Sequence, residues 1–351
     1  RLESDAVGVF VGITLNEYAA WLKRAGQTAG RPLDPGLSLI TGNTLNAVAG
    51  RISYTFGFTG PSMAVDTACS SSLVALHLAC QSLRQAECQV ALVGGVNLII
   101  DAETTSQLIH TGMLSPDGRC KTFDAAANGF VRGEGCGVVI LKRLTAAQTA
   151  GDPILAVIRG SAVNQNGPSS NLTTPHGRAQ QALIRAALKA AKLEPAQISY
   201  IEAHGTGTAL GDPVEVAALG EIFAERQTPL LIGAVKTNVG HLEAASGIAG
   251  FIKVVLSLQH QTIPPHLHYH QPNPAIAWDQ LPIRVPTAAT PWLAEQKFAG
   301  VSSFGASGTN AHVILGEAPA LHPNPPPGEG TVPPLTLVRG GRGEHAWHLL
   351  T

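Results

Sequence analysis

One cysteine stands where a short apolar strand is expected to turn into a long apolar helix. Residues 62–66 predict the strand, residues 70–86 predict the helix, and Cys69 lies in the small-residue turn between them. The first N–H groups of a helix lack intrahelical partners and give that end partial positive charge. A thiol placed there is expected to be stabilised as the thiolate, which attacks carbonyl carbon. On this segment alone, a buried structural cysteine is an equal alternative.

Two histidines occupy comparable positions further along the chain. His204 follows the predicted strand 198–202, and His241 ends a segment that follows the predicted strand 231–235. In α/β folds the residues just past the carboxyl ends of strands meet at one edge of the sheet, where ligands bind. A single histidine in such a loop is more often structural. Because one cysteine and two histidines all lie at strand ends beside small residues, the combination favours an active site.

Four segments together resemble the signature blocks of β-ketoacyl synthases. They are residues 66–72 (DTACSSS), 204–208 (HGTGT), 236–241 (KTNVGH) and 303–310 (SFGASGTN). The similarity runs in order from about Val7 to Leu315. Residues 112–124 and 163–167 further resemble the ketosynthase domains of modular type I polyketide synthases.

The resemblance implies an acyltransferase of the β-ketoacyl-[acyl-carrier-protein] synthase type. An acyl group would move from acyl carrier protein to Cys69 and then undergo decarboxylative Claisen condensation with a malonyl-type extender, giving a β-ketoacyl thioester. His204 and His241, as neutral imidazoles, would donate N–H groups to the enolate oxygen. Lys236 would keep His241 neutral and favour the thiolate.

The resemblance also assigns residues around the substrate. The backbone N–H groups of Cys69 and Ala306 would bind the oxyanion of the tetrahedral intermediate. Thr206 and Thr208 would hydrogen-bond the amides of the phosphopantetheine arm, and Phe304 resembles the aromatic residue at the substrate entrance. The small side chain of Ala306 predicts a wide acyl pocket. No cofactor is expected to bind directly, because the substrates are carried on the phosphopantetheine of acyl carrier protein.

Other functions remain open at this point. A loading or non-elongating ketosynthase would pass chains on or only decarboxylate, and a catalytically idle dimerisation module would do neither. Since Cys69, His204 and His241 are all present, elongation is favoured over the loading or non-elongating variant. Iodoacetamide labelling would separate the idle module, whose Cys69 should show no unusual reactivity. A hydrolase or cysteine protease would pair one histidine with a carboxylate or amide, which leaves the second histidine unexplained.

Two further patterns carry no function in this interpretation. His266, His268 and His270 alternate, but prolines precede them and no cysteine or carboxylate stands nearby to complete a metal site. Residues 124–137 are rich in glycine but lack the lysine of a phosphate-binding loop and the spacing of a dinucleotide motif. We therefore expect neither a metal site nor a nucleotide site.

Apolar strands alternate with helices, which indicates an α/β fold with a mainly parallel sheet. Residues 64–86 and 233–259 both run from strand through a small-residue turn into an apolar helix. The resemblance implies a thiolase-like fold, in which two pseudo-symmetric halves form αβαβα layers. The predicted strands are near 7–12, 62–66, 89–94, 136–142, 154–163, 198–202, 231–235, 298–303 and 311–315, and the predicted helices near 16–25, 42–55, 70–86, 176–191, 213–225 and 243–259. Thr174 and Asp212, each followed by proline, are predicted to cap two of these helices, with Glu215 in the first turn of the second.

The expected organisation has three parts. Residues 1–142 form the half with the nucleophile, with its front truncated, and residues 143–317 form the half with both histidines. Residues 318–351 are predicted to form a Pro/Gly-rich linker toward a following acyltransferase domain. The chain is thus interpreted as part of a multidomain protein.

The composition of the chain limits which partners and which cellular location are expected. The 351 residues have a formal net charge of −1 and only 13% charged residues, so binding to nucleic acid or an anionic membrane is not expected. We find no apolar run long enough to span a bilayer and no signal peptide. Five cysteines without framework spacing favour a reduced, cytoplasmic protein. The expected partners are acyl carrier protein, the neighbouring acyltransferase domain and a second copy in a homodimer.

Overall fold

The computed structural model describes residues 6–30, 36–319 and 335–338. Most of the predicted linker 318–351 therefore lies outside the described residues. The expected boundaries after residues 142 and 317 stay predictions.

The first part of the chain contains four strands and six helices among the described residues. These are β1 (Val7–Gly12), α1 (Glu17–Thr28), α2 (Leu37–Asn43), α3 (Asn46–Phe56), β2 (Ser62–Val65), α4 (Ser71–Arg84), β3 (Val90–Asn97), α5 (Ala102–His110), β4 (Gly135–Arg143) and α6 (Leu144–Ala150). The later elements are β5 (Ile154–Gln165), α7 (Gly177–Ala191), β6 (Ile198–Glu202), α8 (Gly211–Ile222), β7 (Leu230–Gly233), α9 (Lys236–Val239), α10 (Ser246–Gln259), β8 (Thr262–Ile263), β9 (Ile283–Arg284), β10 (Thr290–Pro291), β11 (Phe298–Phe304), β12 (Thr309–Glu317) and β13 (Leu335–Val338).

The strands fall into two half-sheets with the same order and the same directions. In the first half, β1 is parallel to β2 and β3, and β4 is antiparallel to β3. In the second half, β6 is parallel to β7 and β11, and β12 is antiparallel to β11. Strand β5 pairs antiparallel with β12, and β13 pairs antiparallel with both β4 and β5. As a result, β13 connects the halves into one 11-stranded sheet.

Helices α4 and α10 form the layer between the two half-sheets, since each contacts strands of both. Helix α3 covers the outer face of β1 and β2, and α7 covers β5 and β12, with α8 packed on α7. The central helices are apolar on most sides, and Leu73, Leu76, Ile248 and Phe251 are fully buried. Burying each such side chain stabilises the fold by about 1.5–3 kcal/mol. This layer brings the first turns of α4 and α10 together.

Several boundaries differ from the sequence prediction. The predicted helix 42–55 is two helices, α2 and α3, and helices α5 and α6 were missed. The predicted cap at Thr174 is wrong, because α7 begins at Gly177 and the His176 ring accepts the N–H of Ala179. The predicted cap at Asp212 is also wrong, because α8 begins at Gly211 and the Asp212 carboxylate binds elsewhere.

Candidate active site

Cys69 lies in a strained turn between β2 and α4. The preceding residue, Ala68, has a φ of 54°, in the left-handed region that residues with a Cβ rarely adopt. The side chain of Ser71 holds this turn, since its Oγ accepts the N–H of Thr67 at 2.9 Å and donates to the carbonyl of Ala68 at 2.6 Å. Such strain persists only where neighbouring contacts maintain it. The turn therefore holds Cys69 in a defined orientation at the start of α4.

The other half of the molecule holds the Cys69 peptide from the opposite side. Its carbonyl accepts the hydroxyl of Ser303, from β11, at 2.7 Å and the hydroxyl of Ser246, from α10, at 3.2 Å. Both donors lie more than 170 residues away in sequence. These bonds fix the nucleophile turn of one half against the strand and helix of the other.

Two backbone N–H groups, that of Cys69 itself and that of Ala306, lower the pKa of the Cys69 thiol and so favour negative charge on its sulfur. Ala306 lies in the turn between β11 and β12, which approaches the cysteine closely through Gly305. A Cβ on Gly305 would lie 2.2 Å from the carbonyl oxygen of Thr67, so only glycine permits this contact. These are the two amides that the sequence analysis named for an oxyanion hole.

The structure brings His204 and His241 together, with ring centroids 5.5 Å apart and ring planes at 85°. In each ring, Nδ1 accepts a backbone N–H group. Phe304 donates to His204 at 3.3 Å, and Glu243 donates to His241 at 2.9 Å. A neutral imidazole whose Nδ1 accepts carries its proton on Nε2. Both histidines are therefore Nε2–H donors.

Both rings are uncharged at neutral pH. Burial lowers the pKa of His204 and of His241 well below 6.5, and the positive charge of Lys236 lowers both pKa values further. This is the charge state that the sequence analysis expected for the pair.

The His204 peptide is held at both of its polar atoms. The buried Lys236 Nζ donates to the carbonyl of His204, while the Glu215 carboxylate accepts the N–H groups of His204 at 2.8 Å and Gly205 at 2.9 Å. Burial lowers the pKa of Lys236, and Glu215 opposes that shift. Lys236 and Glu215 thus position His204 as well as setting the charge around it.

A second buried carboxylate holds the glycine-rich loop that follows His204. Asp212 accepts the N–H groups of Phe123 at 2.7 Å and Gly207 at 3.0 Å, and burial raises its pKa to about 7. In the sequence, Asp212 and Glu215 indicated only the start of a helix. Both carboxylates follow His204 by only a few residues, and this closeness in sequence could have indicated that they bind the backbone of its loop.

The residues predicted to bind substrate lie around the histidines. The hydroxyls of Thr206 and Thr208 are 3.0 Å apart, and Thr208 also accepts the N–H of Gly211 at 3.1 Å. The ring of Phe304 lies 5.4 Å from that of His204, and Ala306 is exposed. Thr206 and Thr208 therefore lie in the loop that carries His204, whereas Phe304 ends β11 and Ala306 lies in the turn that follows it.

The expectation that Cys69 rests as a thiolate is wrong. Burial raises the pKa of its thiol to about 11, and Glu243 adds to the increase, although Lys236 and the two amides oppose it. The partial charge of a helix end favours the thiolate, but the loss of hydration on burial outweighs it. The thiol is therefore the resting form at neutral pH.

We accordingly expect alkylation of Cys69 by iodoacetamide to accelerate about tenfold per pH unit from pH 7 to 10, because only the thiolate reacts. Lys236→Met should slow the reaction at any pH in this range, since it removes the main charge that favours the thiolate. Mass spectrometry of the alkylated peptide measures the rate. A rate that is constant above pH 8 would contradict the raised pKa, and exposed Cys136 serves as the reference thiol.

The alternating histidines and a separate cleft lie outside this site. The His266 ring is buried. Its Nδ1 accepts the N–H of Ala234 at 3.3 Å, and its Nε2 donates to the carbonyl of Thr122 at 3.1 Å. Among the described residues, no group of three His, Cys, Asp or Glu side chains could hold a metal ion. A cleft of about 750 Å³ at the amino ends of β6, β7 and β11 is lined by none of the candidate catalytic residues.

Comparison with protein families covers both halves of the chain. Residues 1–147 match the β-ketoacyl synthase N-terminal domain, residues 155–270 its C-terminal domain, and residues 272–350 the ketoacyl-synthetase C-terminal extension. The chain belongs to the β-ketoacyl synthase family. This β-ketoacyl synthase is thus a condensing enzyme of the acyltransferase class, and the family predicted from its motifs is confirmed.

Relatives of this β-ketoacyl synthase include subunits of polyketide synthases. Subunits A and C of the phenolphthiocerol/phthiocerol polyketide synthase of Mycobacterium tuberculosis are 50% and 52% identical to it over 97% of the chain. The chain spans only 18% and 16% of their lengths.

Solved structures agree with the fold. The module 6 ketosynthase of the bacillaene synthase from Bacillus subtilis and an oxazolomycin ketosynthase domain from Streptomyces albus are each 42% identical, with TM-scores of 0.83 and 0.85. The match covers 91% of this chain and 55% and 56% of those chains. The predicted thiolase-like fold is confirmed. No helix of the described residues is both long and apolar enough to cross a membrane.

Proposed function

We propose that this β-ketoacyl synthase condenses a carrier-bound acyl chain with a malonyl-type extender. The observation that carries the proposal is the pair of Nε2–H donors, His204 and His241, beside a cysteine whose thiolate is favoured by two backbone N–H groups. Acyl transfer and decarboxylation each develop negative charge on a thioester oxygen, and each needs its own set of donors.

In the first step, the sulfur of Cys69 attacks the carbonyl carbon of an acyl-pantetheine thioester. The N–H groups of Cys69 and Ala306 stabilise the oxyanion, and the pantetheine sulfur leaves. The proton lost by the Cys69 thiol goes to that leaving sulfur, so the exchange needs no external base. This route fits a thiol whose pKa is about 11, because the attacking and leaving groups are both thiols.

In the second step, the malonyl C–C bond breaks and its electron pair becomes an enolate whose oxygen accepts from His204 and His241. Carbon dioxide leaves. The enolate carbon then attacks the Cys69 thioester, the S–C bond breaks, and the released thiolate takes a proton from solvent. Burial, together with the positive charge of Lys236, lowers the pKa of both imidazoles and keeps them uncharged, so that they remain donors rather than acids.

The carrier is part of the proposal. Thr206 and Thr208 would bind the phosphopantetheine arm of an acyl carrier protein, and a neighbouring acyltransferase domain would supply the extender. The similarity to polyketide synthase subunits supports both partners. No directly bound cofactor is proposed. We also propose a cytoplasmic location, which the odd number of cysteines supports.

A homodimer is proposed through the exposed edge of the first half-sheet. Strand β2 ends the strand order, and its Met63 is exposed. Tyr54 and Phe56 of the adjoining α3 are 90% and 64% exposed. An unpaired edge beside exposed aromatic side chains suits pairing with a second copy. Light scattering that reports only monomer would contradict this proposal.

The experiment that tests the function supplies a panel of acyl-pantetheine thioesters and then malonyl-pantetheine, followed by intact-protein mass spectrometry. We expect Cys69 to gain one acyl group and then lose it as a β-ketoacyl product. Acylation without C–C bond formation would identify a loading enzyme, and no acylation would identify an idle module. Ala306→Phe should restrict the panel to smaller acyl groups, because the ring occupies the pocket that alanine leaves wide.

A further inference from the structure

Arg132 is buried between two carboxylates beside the histidine pair. Its Nε donates to Glu243 at 2.5 Å and its Nη2 donates to Glu17 at 2.8 Å, while Nη1 donates to the hydroxyl of Thr105 at 2.8 Å. The side chains of Arg132, Glu17 and Glu243 are only 3%, 5% and 11% exposed. A buried ion cluster of this kind is costly to desolvate, so it is weak support for stability alone.

Glu243 has an unusual backbone conformation for its residue type. Its φ is 45°, in the left-handed region, which costs free energy for any residue with a Cβ. This conformation directs the Glu243 N–H at His241 Nδ1, 2.9 Å away. The donated bond is the one that places the proton of His241 on Nε2. The strained peptide therefore determines which nitrogen of His241 faces the substrate.

The backbone around Arg132 also holds His241. The N–H of His241 donates to the carbonyl of Val131 at 2.7 Å, and Gly133 donates to the carbonyl of His241 at 2.9 Å. The Arg132 side chain leaves this same segment and reaches forward to Glu243. One segment thus fixes the His241 main chain directly and its ring nitrogen through Glu243.

We propose that Arg132 and Glu243 are positioning residues for His241, in which their ion pair holds Glu243 in the left-handed conformation that keeps the His241 ring as an Nε2–H donor. Neither side chain touches the reacting atoms. Glu17 extends the cluster to the loop before α5, since its second oxygen accepts the N–H groups of Ile100 at 2.9 Å and Asp101 at 3.0 Å. The inference rests on the proposed function only where carbon dioxide release is measured.

Two substitutions at one position separate conformation from charge. Glu243→Gly and Glu243→Ala both remove the carboxylate and leave Arg132 paired with Glu17, but only glycine adopts a positive φ without strain. We expect Glu243→Gly to release carbon dioxide from malonyl-pantetheine about five- to thirtyfold faster than Glu243→Ala, the ratio that the left-handed penalty implies. Acylation of Cys69 should be the same in both, because His241 does not serve that step.

A third variant tests the role of the Arg132 side chain. Nitrogen NMR of the imidazole rings shows which nitrogen of His241 carries the proton, and it needs no catalytic turnover. Arg132→Lys keeps the charge but cannot bind both carboxylates as a planar fork. Its carbon dioxide release should fall between wild type and Glu243→Ala, and its His241 spectrum should show an increased Nδ1–H population. Lys297→Met, which breaks the ion pair with Glu317 far from the site, is the control for ion-pair loss.

Equal rates and equal His241 spectra for the glycine and alanine variants would overturn the proposal. So would a fall in acylation equal to the fall in decarboxylation, which indicates general loss of structure. A wild-type enzyme that releases no carbon dioxide refutes the proposed function instead. In that case the NMR comparison still decides whether Glu243 sets the tautomer.

Discussion

Replacing Cys69 by alanine is expected to abolish acyl loading while leaving decarboxylation of malonyl-pantetheine in place. The substitution removes the nucleophile, so we expect acylation to fall by about 10⁴-fold or more. His204 and His241 are held by Phe304 and Glu243 and not by the cysteine sulfur. The enolate donors should therefore keep their geometry. Mass spectrometry measures loading, and release of labelled carbon dioxide measures the second reaction.

Cys136→Ala is the matched control, since that thiol is also free but exposed. It should load acyl groups as the wild type does. Loss of carbon dioxide release in Cys69→Ala would contradict the account, because it would mean that the nucleophile and the enolate donors do not act separately.

Removal of either histidine is expected to produce the reciprocal pattern. His204→Ala or His241→Ala should slow carbon dioxide release by about 10²–10³-fold, the usual loss for one oxyanion donor. Acylation of Cys69 should stay within about threefold of wild type, because the amides of Cys69 and Ala306 serve that oxyanion. The double variant should lose less than the product of the single losses, since both donors stabilise one oxygen.

His260→Ala provides the control, because His260 is exposed at the end of α10. It should change neither reaction. If a single histidine variant lost acylation and decarboxylation equally, that histidine would act as a base toward Cys69 rather than as an enolate donor.

The sequence was sufficient to predict that the candidate catalytic residues lie close together, because their proximity follows from the order of the strands. Cys69 and His204 follow β2 and β6 within a few residues, and His241 follows β7 after the short helix α9. Parallel strands bring such residues to the same end of their sheets. The echo between residues 64–86 and 233–259 corresponds to β2–α4 and β7–α10 in the two half-sheets. Apolar helices in both repeats predicted that α4 and α10 would be buried.

The charge and proton placement could not be predicted in the same way. The pKa of Cys69 depends on its burial and on groups distant in sequence, Lys236, Glu243 and Ala306, whereas a helix-end argument includes only the nearest turn. The tautomer of His241 depends on the direction of one peptide, that of Glu243, whose left-handed conformation no propensity indicates. Asp212 and Glu215 were missed as loop ligands because an acid at a helix start already has a local explanation.

The central claim is that both histidines are uncharged and carry their proton on Nε2, and nitrogen NMR of labelled imidazoles tests it directly. In the wild-type protein from pH 5.5 to 8, we expect His204 and His241 to show one protonated Nε2 and one unprotonated Nδ1 each, with no titration. A signal from either active-site ring that shows an imidazolium or a protonated Nδ1 at pH 7 would contradict the account.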